Sequence, residues 1–139
     1  MKRLKFHRAI VAIAMMLIGW LPSLAHDFEV DGIFYNKTSD NTVAVTYKGD
    51  SYSSYSNEYI GDVVIPSSVD YNGITYSVTS IGGSAFEGCK SLTNITVDEN
   101  NTKYDSRNGC NAIIETASNT LIVGCQNTII PNSVTSIGN

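Results

Sequence analysis

The sequence predicts a mainly β protein whose chain coils repeatedly around one core, with a β-hairpin cap at its amino end and inserted hairpins. Thr, Ser, Asn, Val, Ile and Tyr are abundant, and no long amphipathic helix period appears after Ala25. In residues 78–97 the apolar positions follow neither strict alternation nor a helical period, which is typical of a solenoid coil. Two Gly-containing turns between strand-like runs complete the pattern.

Residues 1–25 have the features of a secretory signal peptide. A basic start precedes an apolar run over residues 9–21, which is short for a membrane span. Pro22 ends the run, and Ser-Leu-Ala at residues 23–25 offers a small-x-small cleavage site. No cysteine follows the site, so the lipobox of a lipoprotein is absent. An uncleaved anchor is the alternative interpretation.

Removal of this segment leaves an acidic chain with no membrane span. Four of the nine Lys and Arg residues and none of the thirteen Asp and Glu residues lie in it, so the mature net charge is 5 − 13 = −8. Nucleic acid and anionic lipid both bind through cationic side chains. The charge therefore makes both poor candidates as partners, and solubility is its main interpretation.

Residues 26–61 are predicted to form the amino-terminal β cap and a polar loop. Asp31-Gly32 separates two short apolar runs and permits positive φ at both turn positions, which favours a tight hairpin. Residues 42–47 read as a third strand. A solenoid needs such a cap because its first coil would otherwise expose the open end of the core.

The polar loop contains two tyrosines that are candidates for a binding surface. Tyr52 and Tyr55 alternate with serines, and this composition is typical of adaptable contact surfaces. An ordinary solvated loop is the alternative interpretation.

Residues 62–139 are predicted to be the repeat region. The phrase at 65–69 returns at 130–134, and the phrase at 78–82 returns at 134–138. The first copy carries an Asn-Gly hairpin signal that the second lacks. The second copy stops before its Ala-Phe, Cys and Leu positions, so we expect a carboxy-terminally incomplete repeat region; a genuine short form is the alternative.

One stretch carries a family resemblance. Residues 78–97 read V-x-x-I-G-x-x-A-F-x-x-C-x-x-L-x-x-I-x-V, which closely resembles the BspA-like leucine-rich repeats of secreted Bacteroidetes proteins. The resemblance implies a leucine-rich-repeat solenoid at the cell surface that takes part in adhesion. The run 92–97 would be a strand, with Thr93, Asn94 and Thr96 between its apolar positions and exposed on a binding face.

Residues 98–126 are predicted to be an inserted hairpin. A register that pairs Ile114 with Leu121 opposes Cys110 and Cys125, within reach of a disulfide. A longer loop that uses Asn119 would shift this register and separate the sulfurs. A disulfide and two buried free thiols therefore both remain open.

No catalytic constellation is found in the sequence. His7 lies in the signal segment and His26 at the mature amino terminus, and C-x-x-C, H-E-x-x-H and G-x-S-x-G are absent. We expect no catalytic residue, no cofactor and no metal. The predicted function is a non-catalytic module that binds protein or glycan outside the cell; the alternative is the amino-terminal scaffold of a larger secreted enzyme.

We predict export with cleavage after Ala25. The basic start, the short apolar run and the small-x-small site together favour signal-peptidase processing. Amino-terminal sequencing of the exported protein should begin at His26. An exported protein that still carries Met1 would contradict the prediction.

Overall fold

The computed structural model describes residues 26–138, and the predicted signal peptide lies outside this part. The described chain is mainly β, with 43% of its residues in strands and no α-helix. The described residues contain a single 3₁₀ turn, Arg107–Gly109. The strands in chain order are β1 (Phe28–Val30), β2 (Ile33–Lys37), β3 (Thr42–Thr46), β4 (Gly61–Ile65), β5 (Ser68–Tyr71), β6 (Ile74–Ile81), β7 (Leu92–Val97), β8 (Tyr104–Asp105), β9 (Ala112–Glu115), β10 (Thr120–Gly124) and β11 (Ser136–Ile137).

The predicted hairpin at Asp31-Gly32 joins β1 to β2. Val30 is the register partner of Ile33, and the two turn residues have φ of 51° and 77°. Asp tolerates this left-handed conformation and Gly adopts it without cost, so the local sequence is sufficient to form the turn. β3 then pairs antiparallel with β2. The predicted hairpin and third strand are therefore confirmed.

Strand β6 joins the second predicted hairpin to this first sheet. Asn72 and Gly73, with φ of 51° and 78°, connect β5 to β6 as predicted. The second half of β6 pairs in parallel with β3, where Val78 is the register partner of Val43. The sheet order is β1-β2-β3-β6-β5. The predicted boundary between the cap and the repeat region, at residues 61 and 62, therefore does not separate two sheets. β6 lies after this boundary and is long enough to pair both with β5 and with β3, which lies before it.

The five-stranded sheet curls into a nearly closed barrel. Phe28 on edge strand β1 stacks on Tyr71 of the opposite edge strand β5, with ring centroids 4.2 Å apart and planes 5° from parallel. Tyr35 and Tyr76 also pack their rings against Phe28. Aromatic contacts thus hold together two edges that share no backbone hydrogen bond.

Strands β4 and β7 form a separate parallel pair. The pairing confirms the strand predicted at 92–97, and its register sets Val63 opposite Ile95 and Ile65 opposite Val97. Ile65 and Ile95 are completely buried. One face of the pair therefore belongs to the core, and alternation turns the other face outward.

Strands β8, β9 and β10 of the predicted insert form the third sheet together with β11, in the order β11-β10-β9-β8. β11 lies beyond the insert, in the second copy of the repeated phrase. Ile114 pairs with Leu121 as predicted, but an extra residue at Ile122 shifts the next pair to Ile113 with Val123. After this β-bulge the side chains of β10 alternate in the opposite phase, so Val123 does not share the face of Leu121. The predicted register is correct at the turn and wrong beyond the bulge.

One apolar core connects the three sheets. Val43 of the first sheet, Ile65 and Ile95 of the parallel pair and Ile113 of the third sheet belong to a single cluster and have no exposed surface. Complete burial of such a side chain contributes about 1.5–3 kcal/mol. The sheets are thus parts of one packed unit.

Tyr59 fastens the segment before β4 to the first sheet. Its hydroxyl donates to the backbone carbonyl of Thr46 at 2.6 Å and accepts from the backbone N–H of Phe34 at 3.2 Å. The ring packs against Phe34 and Phe86, with centroid distances of 5.7 and 4.7 Å. A buried hydroxyl with two backbone partners fixes both position and orientation.

We predict that Tyr59→Phe destabilises the fold by about 1–3 kcal/mol, because it leaves two buried backbone groups unsatisfied. Urea unfolding measures the loss. Tyr52→Phe is the matched control, since Tyr52 is 46% exposed. Equal stability of both variants and the original chain would contradict the role assigned to the Tyr59 hydroxyl.

Candidate functional site

An open groove of about 750 Å³ lies beside β4. Its walls come from the β1–β2 turn, from the segment that leads into β4, from β4 itself and from β5. These segments are distant in sequence, so the groove exists only because the curled first sheet packs beside the parallel pair. Its volume lies in the range of small-molecule and cofactor sites.

The groove carries negative charge. Asp31, Glu58, Asp62 and Asp70 line it, and no Lys, Arg or His is among its lining residues. Thr75 donates to Asp70, and the backbone N–H of Lys48 donates to Glu58 Oε2 at 3.0 Å. These donors are neutral and leave the carboxylate charges uncompensated. Glu58 Oε1 is buried and has no hydrogen-bond partner among the described residues.

Sequence reasoning missed these carboxylates as a group. It interpreted Asp31 as a turn residue and did not single out Glu58, Asp62 or Asp70. The excess of acidic residues is the signal that was available. It gives no positions, because the four carboxylates converge only after the sheets have packed.

Two tyrosines also line the groove. Burial raises the pKa of Tyr35, and the Asp31 carboxylate raises it further. Burial likewise raises the pKa of Tyr59, with a smaller contribution from Glu58. Both phenols therefore stay protonated at physiological pH and supply no nucleophile.

The predicted surface residues of β7 adjoin the groove through Asp62. Asn94 Nδ2 donates to Asp62 Oδ1 at 2.6 Å, and Thr93 Oγ1 donates to the same oxygen at 3.2 Å. Thr96 lies opposite the exposed side chain of Val64. Thr93, Asn94 and Thr96 are partly exposed. The structure thus brings these three residues together on the outer face of the β4–β7 pair.

The other predicted surface residues lie apart from the groove lining. Tyr52 and Tyr55 are about half exposed in the polar loop. The Lys48 ammonium lies 5.3 Å from the Tyr55 ring centroid, a cation–π contact. Gly49 packs under the same ring, where a Cβ would come within 2.8 Å of Tyr55. Tyr55 therefore has a local packing role as well as an exposed surface.

The three cysteines are free thiols in the structure. Cys110 is buried in a small cluster with Ala112, Ile114 and Leu121. Cys125 packs against the main core instead, and its Sγ donates to the Thr93 carbonyl at 3.1 Å. The bulge at Ile122 removes the direct opposition on which the predicted disulfide depends. Burial raises the pKa of the Cys110 thiol, which favours an unreactive side chain.

Among the described residues, the groove lining contains no histidine and no group of side chains that could hold a metal ion. Within residues 26–138 no three His, Cys, Asp or Glu side chains are grouped so that they could hold a metal ion. His26 is buried, with Nδ1 2.7 Å from the Lys48 carbonyl and its ring 4.9 Å from that of Phe34. What the groove offers is hydrogen-bond acceptors, negative charge and apolar surface.

No protein-family model, curated protein or solved structure matches the chain. Within residues 26–138 no helix is long and apolar enough to span a membrane. The groove and the adjoining outer face are therefore the features that bear on function.

An ion pair stabilises the turn of the third sheet. Arg107 binds both carboxylate oxygens of Asp105, with its Nε 2.7 Å from Oδ1 and its Nη2 2.6 Å from Oδ2, and the Thr116 hydroxyl donates to Oδ2 at 2.7 Å. The hydrogen bonds from the Arg107 side chain lower the pKa of Asp105 from 3.8 to about 2. Arg107 also reaches Asn119 in the hairpin loop.

We predict that the loss of this ion pair at low pH makes the protein less stable in acid. A folded-state pKa below the unfolded value gives stability that is present above pH 3.8 and lost as the pH falls toward about 2. The loss should reach at most about 2 kcal/mol. Urea unfolding at several pH values should show that Asp105→Asn removes this part of the pH dependence, whereas Glu99→Gln retains it. Identical profiles for Asp105→Asn and the original chain would contradict the prediction.

Proposed function

We propose that this chain is a secreted or cell-surface binding module of the leucine-rich-repeat type, non-catalytic, with a protein or a glycan as its ligand. The outer face of the β4–β7 pair is the observation that carries the proposal. There Asp62 holds Asn94 and Thr93 by hydrogen bonds. Polar groups held on a rigid sheet lose little conformational entropy when a ligand binds.

The parallel pair supports the solenoid part of the proposal. In a solenoid each coil adds one strand beside the last, with an apolar face inward and a polar face outward. Gly61 and Leu92 are register partners in parallel strands. The chain between them therefore leaves the end of β4 and returns to begin β7 beside the start of β4. Ile65 and Ile95 fill the inner side of this coil.

The charge of the described chain supports an extracellular protein or glycan ligand. Five Lys and Arg residues against thirteen Asp and Glu residues repel nucleic acid and anionic lipid. The signal-like segment at residues 1–25 supports export. The protonated Tyr35 and Tyr59 phenols supply no nucleophile to the groove, which favours binding over catalysis.

We predict that Asn94→Asp weakens ligand binding by about tenfold, because it replaces a donor with a carboxylate beside Asp62. The exported full-length protein is applied to immobilised extracellular proteins and glycans, and the Kd of the retained ligand is measured. Asn132→Asp is the matched control, since Asn132 is exposed and lies outside the face.

Two results would contradict the proposal. The first is a retained ligand whose Kd is the same for Asn94→Asp as for the original chain. The second is chemical turnover of that ligand by the purified protein.

A further inference from the structure

Strand β4 has an unpaired edge along the groove. In the described part of the chain its one hydrogen-bonded neighbour is β7. The N–H of Gly61 donates to the Ser91 carbonyl, and the carbonyl of Ile65 accepts from the Asp98 N–H, both on the β7 side. Backbone polar groups alternate between the two edges of a strand. The backbone N–H and C=O groups of Asp62 and Val64 therefore point away from β7, toward the groove that both residues line.

An unpaired edge of this kind is a template for another strand. β4 has five residues, so its edge runs for about 17 Å. The groove leaves about 750 Å³ beside it. A short extended peptide fits this space and would satisfy the free backbone groups of Asp62 and Val64.

The side chains around the edge define the chemistry of the occupant. Asp31 and Asp70 stand on the wall formed by the first sheet, and Glu58 and Asp62 lie on the side of β4. Ile60 and Val64 are 64% and 58% exposed at the same place, so apolar contacts are also available. Alternating basic and apolar residues on a bound strand would match this combination of charge and apolar surface.

We propose that the groove binds an extended basic peptide segment, which adds to the free edge of β4 as a strand and places its Lys or Arg side chains against the groove carboxylates. The proposal rests on the proposed binding function and names the class of partner. Pairing of β4 with β4 of a second copy is disfavoured, because it would bring two sets of like charges together at one edge.

The test uses fluorescence anisotropy with the full-length protein and three synthetic peptides of about seven residues, the length that spans β4. One peptide alternates Lys and Val, one alternates Glu and Val, and one is the Lys–Val peptide with N-methylated backbone amides. We expect the Lys–Val peptide to bind, with an affinity that falls as salt screens the carboxylates. The Glu–Val and N-methylated peptides should not bind measurably.

Charge variants test the acidic wall. Asp31→Asn combined with Asp70→Asn should weaken the Lys–Val peptide by about tenfold. Asn tolerates the positive φ at position 31, so the turn is retained. The matched control neutralises two carboxylates outside the groove, with Asp50→Asn combined with Glu99→Gln. Equal weakening of peptide binding by the two pairs of substitutions would contradict the proposed role of Asp31 and Asp70.

A backbone variant tests the edge. Val64→Pro removes the N–H that points into the groove and should weaken binding by about fivefold or more, whereas Val64→Thr retains it. Thermal unfolding verifies that both variants fold. Binding that is insensitive to Val64→Pro and to N-methylation would overturn strand addition. A dimer through this groove, or a divalent cation that binds while the peptide does not, would overturn the choice of occupant.

The two proposals fail in different ways. Suppose that the Lys–Val peptide does not bind, while an extracellular ligand is retained and weakened by Asn94→Asp. The basic-peptide site is then wrong and the binding module stands. Suppose instead that the peptide binds as expected and no ligand depends on Asn94. The groove then stands and the proposed outer-face function is wrong.

Discussion

The buried hydroxyl of Tyr59 determines where the parallel pair begins. It bonds to backbone groups of β2 and β3, while its ring packs on Phe86 in the turn that leads to β7. β4 starts two residues later, at Gly61. The position of β4 relative to the curled sheet follows from this attachment, and so does the groove between them. A side chain in the core thereby sets the geometry of a surface site.

The groove concentrates charge that the fold does not neutralise. Among the described residues, the one ion pair joins Arg107 to Asp105. It lies in the third sheet, where it stabilises a turn. The groove carboxylates Asp70 and Asp62 accept hydrogen bonds from neutral donors instead. Such an arrangement costs stability through repulsion and attracts cations. The same carboxylates protect the free edge of β4 from pairing with another copy of the chain.

The sequence was sufficient wherever the cause was local. Asp31-Gly32 and Asn72-Gly73 form their hairpins because these residues adopt positive φ at low cost. The strand at 92–97 and the pairing of Ile114 with Leu121 also match the prediction. The surface residues Thr93, Asn94 and Thr96 could be selected because they are the polar positions between the apolar residues of the strand. Simple alternation would place only Asn94 and Thr96 outward, and the register shift at Thr93 brings this residue to the same face.

Only the tertiary structure decided the features that depend on backbone edges and packing. The pattern of side chains along a strand does not determine which other strand will hydrogen-bond to its free edge. The parallel pairing of β6 with β3 could therefore not be predicted. The bulge at Ile122 shifts the register of β9 and β10, which removes the direct opposition of Cys110 and Cys125. The acidic groove likewise joins residues from several segments. The sequence by itself determined the two Gly-containing hairpin turns, several of the strands and the net charge, whereas three-dimensional packing determined which carboxylates meet and which strand edge stays open.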